Sequence, residues 1–172
     1  MIFFFVSIAF SFIAWSIVAS RYIWPELRRR EPVDALRPVL ILNSFRFMGL
    51  AFLIPGVVSP DLPATFARSA GFGDLVAAVL ALISLALLPR RAGIVSAWVF
   101  NIWGAVDLLN AFYQANRAGL FAGQLGATYF IPTVLVPLLM ILHVLAFRVL
   151  LQHASESRTV PRGLPTQAWA RE

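Results

Sequence analysis

The side chains in this sequence that are equipped for chemistry stand inside runs of apolar residues. Asn43 and Arg46 interrupt "ILNSFRFMGLAFLIPG"; Asp74 and Ser84 fall in a second apolar block, Asn101, Asp107, Asn110 and Gln114 in a third, and Thr133 and His143 in a fourth. A charge at the centre of a bilayer costs about 3 kcal/mol on insertion scales, so such groups face other protein and acquire partners, and by default they mark a solute, ion or proton site. The chemistry on offer is that of an arginine able to hold an anionic group, a carboxylate to neutralise it, amides to fix orientation and an imidazole to take or give a proton.

Spacing narrows the set. With a rise of about 1.5 Å per helical residue, Arg46 and Asn101 each lie about 12 Å from the cytoplasmic ends of their spans, and His143 about 10 Å from its own. Asp107 lies about 9 Å farther outward, within reach of an arginine, which makes Arg46–Asp107 the preferred ion pair. Trp103, Asp107, Asn110 and Gln114 recur at i, i+4, i+7 and i+11, one helix face that forms a polar path toward the outside. The candidate ligand-binding or proton-path residues are Arg46, Asp107, Asn101, His143, Asn43 and Asn110. Asp74, beside Gly73 at an expected helix start, reads as a cap in the helix dipole, and stands as the alternative partner of Arg46. Beside the functional reading stands a structural one, in which the ion pair orients helices and the asparagines are interhelical hydrogen-bond partners.

Several chemistries are excluded. The chain has no cysteine, which removes disulfides, thiolate metal sites and cysteine nucleophiles. His143 is the one histidine at membrane depth, so haem with two histidine ligands has no support, and no metal site is expected. HExxH, GxSxG, a glycine-rich phosphate loop and helically spaced carboxylate pairs are absent, so no catalytic residues are assigned and the sequence names no cofactor.

The elements that must position these groups are membrane helices. Of 172 residues 60% are hydrophobic, with a mean hydropathy of +0.81, more than a soluble chain of this length can hide. Apolar blocks of about 20 residues match a hydrocarbon core about 30 Å thick. The expected spans are 2–20, 39–58, 70–88, 93–114 and 129–151, forming a five-helix transmembrane domain over 1–151 followed by a polar, disordered cytoplasmic tail over 152–172. Runs such as "LVAAVLALISLALL" lack the alternation of barrel strands, so the fold class is an all-α polytopic bundle.

The net charge of +6 does not imply nucleic acid, because its placement explains it. All fourteen basic residues are arginine; Arg21, Arg28, Arg29, Arg30, Arg37, Arg90, Arg91 and the arginines from Arg148 onward fall on one side, against Arg68 and Arg117 on the other. The positive-inside rule then sets the amino terminus outside and the carboxyl terminus in the cytoplasm. "SPDLPATFARSAGFGD" reads as a short interfacial connector or lid around Phe66, and Pro137 as a kink that opens space in the outer half of the last span. "LNSFRFMGLAF" and "FNIWGAVDLLNAF" form a weak repeat with Asn43 opposite Asn101.

At "NSFRFMGLAFL", "GFGDLVAAVLAL", "FNIWGAVDLL" and "IPTVLVPLLMILH" the chain resembles small multi-pass membrane proteins of high-GC bacteria that are usually left as hypothetical proteins. The resemblance implies a bacterial cytoplasmic membrane location and no activity. The leading expectation is a bundle with a buried polar site that binds or passes a small polar solute or a proton, the arginine favouring an anionic solute. One alternative is a noncatalytic accessory or assembly subunit that docks a membrane protein partner or a second copy, favoured by the small-residue face of Ala77 and Ala81. Another is an enzyme acting on lipid or quinone, with His143 as acid or base.

Overall fold

A computed structural model describes residues 2–88, 90, 92–119 and 122–159, the last four for their backbone alone. Five helices are long and apolar enough to cross a membrane: α1 (Ile2–Leu27), α2 (Pro32–Leu53), α3 (Ala64–Leu87), α4 (Ala92–Arg117) and α5 (Ile131–Ser155). They form an all-α membrane-spanning bundle, and among the described residues there is no β-sheet. In lipid this is forced, since every backbone N–H and C=O must be satisfied within its own segment.

The helices start and stop where local chemistry allows. Proline stands in the first turn of α2, where no N–H is needed, and Pro63 precedes Ala64 at the start of α3. The segment expected to be an interfacial connector winds into helix from Ala64, so Phe66 belongs to the first turns of α3 and packs edge-on against Phe52 with ring centroids 5.6 Å apart. Asp74 consequently sits ten residues into α3, about 15 Å along it, rather than at its end. The α5 helix runs on to Thr159, and the part of the expected tail over residues 160–172 lies outside the described residues.

Besides a π-helical turn in α1 at Ala19–Ile23, two departures from regular α winding bear on the site. The last part of α2, Phe45–Leu53, is a nine-residue 3₁₀ helix, whereas such runs seldom exceed three or four residues. At three residues per turn its buried side Arg46, Gly49 and Phe52 forms a straight row along the helix. The second departure is a π-helical opening of α5, Ile131–Leu135, next to Pro132 and ahead of Pro137. There Trp15 Nε1 donates to the Val134 carbonyl at 3.2 Å, and Ser7 and Tyr129 share a hydroxyl hydrogen bond at 3.0 Å. The first contact ties α1 to α5, and the second ties it to the 3₁₀ segment Ala122–Tyr129 just before α5. Otherwise α1 is peripheral: none of residues 2–18 is buried.

α3 is central and packs most extensively against α2 and α4, while α5 closes the bundle against α2, α4 and α1. Lipid tails are as apolar as leucine, so close backbone approach rather than hydrophobic exclusion drives such packing. α3 supplies the small residues for it, with Gly71, Gly73, Ala77, Ala78 and Ala81 all buried. Two apolar clusters result. One, around Leu36, Leu40, Phe100 and Leu142, lies toward the arginine-rich end; the other, around Phe52, Phe66, Leu125 and Ile131, lies toward the opposite end. The polar residues are layered between them.

Candidate functional site: a buried arginine between two aspartates

Among the described residues Arg46 is the largest wholly buried side chain, and each of its nitrogens finds a partner. Nε donates to Asp74 Oδ1 at 2.7 Å, and one terminal nitrogen, Nη2, approaches Asp74 Oδ1 and Asp107 Oδ2, each at 2.6 Å. The other, Nη1, donates to the Gly104 carbonyl at 3.0 Å and lies 3.3 Å from His143 Nε2. Four hydrogen bonds and the further ion-pair contact of Nη2 with Asp74 engage all three nitrogens of the guanidinium inside the protein.

The same geometry fixes the histidine. Arginine only donates, so His143 Nε2 is the acceptor in that contact and the ring proton sits on Nδ1. Nδ1 then donates to Asn101 Oδ1 at 2.7 Å, while Asn101 Nδ2 donates to the His143 carbonyl at 3.2 Å. The imidazole is therefore held neutral as one tautomer, stacked near Phe100 at 5.2 Å. With both aspartates ionised, one arginine against two carboxylates leaves one surplus negative charge at the centre.

Three glycines make room for it. A Cβ on Gly49 of α2 would overlap the Asp74 carboxylate; on Gly73 of α3, the Asp107 carboxylate; on Gly104 of α4, the His143 ring, with Arg46 Nη1 only 3.0 Å away. Each of the three central helices thus offers a bare backbone patch to a polar side chain from a neighbouring one. Only glycine permits that approach.

The candidates named from the sequence take different places. Arg46, Asp107, Asn101 and His143 meet in one network, with the expected Arg46–Asp107 pair present. Asp74, read from sequence as a cap, is the second partner of the same arginine, accepting from Nε and pairing with Nη2. Asn43 is buried one turn before Arg46, donates to its own helix at Val39 O at 2.9 Å, and leaves Oδ1 without a partner. Asn110 lies farther along α4, where it and Gln114 donate to Ser69 at 3.3 and 2.8 Å and clasp α3. Trp103 departs from the expected polar face and is 46% exposed on the outside of the bundle.

Beside the centre is a cavity of about 230 Å³ to which all five spans contribute. Its walls include Phe4, Phe5, Phe52, Phe66 and Phe112, and its polar floor is Asp74 and Asp107. It reaches from Asp107 to Asn116, about 13 Å along α4. The two aspartate side chains keep 11% exposure each, while that of Arg46 has none, so the carboxylates face the cavity and the arginine is sealed behind them. Asp74 Oδ2 and Asp107 Oδ1 accept no hydrogen bond among the described residues.

Sequence reasoning misses the glycines and the phenylalanine wall. The signal is present as small residues at helical spacing from the charges: Gly49 three after Arg46, Gly73 adjoining Asp74, Gly104 three before Asp107. Two expectations lose their footing. Ala77 and Ala81, offered as a docking face, are wholly buried inside the bundle. His143, offered as acid or base, has both ring nitrogens occupied and does not line the cavity.

The fold and centre define a class: a multi-pass helical membrane protein built around an intramembrane Arg–Asp–Asp cluster. Over residues 3–151 the chain matches the family described as Domain of unknown function (DUF8737), and it belongs to that family. No curated protein and no solved structure matches it.

Proposed function

We propose that this protein binds, and passes across its bundle, a proton or a small polar solute, with Asp74 and Asp107 as the receiving groups and Arg46 as their fixed counter-charge. One observation carries the reading: all three guanidinium nitrogens of Arg46 are engaged inside the protein, while Asp74 and Asp107 both line the cavity and each has one oxygen that accepts no hydrogen bond among the described residues. The anionic solute suggested by the arginine alone has no donor left to hold it, and the surplus negative charge calls for a proton or a cation instead. Low-dielectric surroundings magnify that demand, since an uncompensated carboxylate inside a membrane is costly.

The arginine distribution orients the cavity toward the outside, with the arginine-rich loops in the cytoplasm. Entry from the outer face and a constriction at the Arg46 layer then describe a gated path rather than an open pore. Infrared difference spectroscopy of the protein in nanodiscs, taken across a pH titration, tests the receiving groups. A protonated carboxyl C=O band that disappears in Asp107→Asn supports the reading, and a wild-type spectrum without any such band overturns it.

A further inference from the structure

The shape and lining of the cavity say more than its charge. A site for protons alone needs water and polar relays, whereas here the carboxylates are the floor of a chamber walled by phenylalanines from four different helices: Phe4 and Phe5 on α1, Phe52 on α2, Phe66 on α3 and Phe112 on α4. An inorganic cation would find the wrong walls, since hard cations take several oxygen ligands and the only carboxylates here are the two on the floor. A neutral apolar molecule would suit the walls but leave the charge unanswered. Asp74, with a side chain only 11% exposed, lines this chamber and has one oxygen, Oδ2, that accepts no hydrogen bond among the described residues.

The geometry points to a small amphipathic organic cation as the occupant, an amine or quaternary ammonium whose charged head sits on the free oxygens of Asp74 and Asp107 and whose apolar body lies among the phenylalanines. This inference rests on the proposed receiving role of the two aspartates and names the class of solute. Aromatic rings attract a cation through their negative faces, and they do so more strongly in a desolvated site. The head would neutralise the surplus charge of the centre, which links occupancy to release of any proton the aspartates share. At about 230 Å³ the chamber is below the range of about 300–1,000 Å³ typical of drug-sized pockets, so a single-ring amine fits the scale. The α1 wall, unburied along residues 2–18 and tied to α5 through Trp15 and to the segment before it through Ser7, lies between chamber and lipid, the phase from which an amphipathic cation arrives.

The test uses the full chain in nanodiscs and calorimetric titration with benzyltrimethylammonium, its neutral carbon isostere neopentylbenzene, and benzoate. Expected is binding of the cation, weakened about tenfold or more in Asp107→Asn and in the cavity-filling variant Ala111→Trp, with the isostere and the anion far weaker. Thermal melts of both variants establish that they are folded. Equal binding of cation and isostere, or cation binding that survives both substitutions in folded protein, overturns the inference. Absence of cation binding in a protein that still shows the pH-dependent carboxyl band removes the organic cation and leaves the proton reading standing; absence of both removes the two together.

Discussion

Replacing Arg46 by methionine and replacing Asp107 by asparagine should have very different consequences, although both break the same 2.6 Å contact. Methionine in place of Arg46 strands two carboxylates, the Gly104 carbonyl and His143 Nε2 together, and breaking a buried ion pair from one side costs roughly 3–5 kcal/mol. Asparagine at position 107 removes one contact and also the surplus negative charge, leaving one arginine opposite one aspartate; the two effects oppose each other, and the expected net change is within about 1 kcal/mol. Asparagine at position 74 removes the surplus charge as well but weakens more contact, because Asp74 Oδ1 accepts from Nε and lies 2.6 Å from Nη2; the expected net cost is about 1–2 kcal/mol, between the other two. Reversible unfolding in mixed micelles with increasing dodecyl sulfate, followed by circular dichroism, gives the three values on one scale. The order Arg46→Met, then Asp74→Asn, then Asp107→Asn is required; equal destabilisation by the first and last would refute the charge count on which the proposed function rests.

Gly104→Ala should lower stability by about 1–3 kcal/mol through overpacking against His143 and Arg46, while Gly123→Ala, whose Cβ meets nothing within 4 Å, should leave the same unfolding curve within about 0.5 kcal/mol. Asn43→Leu removes an amide whose oxygen has no partner and should be neutral or stabilising in that assay, whereas Asn101→Leu deprives His143 Nδ1 of its acceptor and should destabilise by about 1–3 kcal/mol; the reverse order would show that the amides are misassigned. Trp15→Phe removes the α1 bond to the Val134 carbonyl, worth about 0.6 kcal/mol in a membrane, and should raise the rate of crosslinking between cysteines introduced on the outer faces of α1 in neighbouring molecules; an unchanged rate would mean α1 is held by packing alone.

How much is legible in the sequence depends on the scale considered. Length and polarity of the apolar blocks are enough to give five helices, because a bilayer imposes both the span length and the absence of alternatives. Depth counting places Arg46, Asn101 and His143 in one layer, and the hydrogen bonds joining them are found. Sequence and structure part where local chemistry is read without its tertiary context. Gly71 and Gly73 look like helix breakers, which puts Asp74 at a helix end; in the bundle they are sites of close backbone approach in mid-helix, which moves Asp74 to the level of Arg46. Trp103 shares a helical period with Asp107 but lies on the outside, since period alone leaves the rotation of a helix about its axis undetermined. The 3₁₀ winding of Phe45–Leu53 has no signature in its residues, and it is this winding that brings Arg46, Gly49 and Phe52 into one row.

The order of the charges along the chain bears on how the protein is made. Synthesis delivers Arg46 before either aspartate, and α2 is the least apolar of the five spans. An arginine at mid-membrane opposes insertion by about 2.5–3.5 kcal/mol, with nothing yet to answer it. Partition of α2 alone is thus less favourable than that of the α2–α3 hairpin, in which Asp74 has joined it, and completion of the cluster waits for Asp107 on α4. The buried arginine ties three successive helices to one another through its partners Asp74 and Asp107, so each helps the others reside in the bilayer.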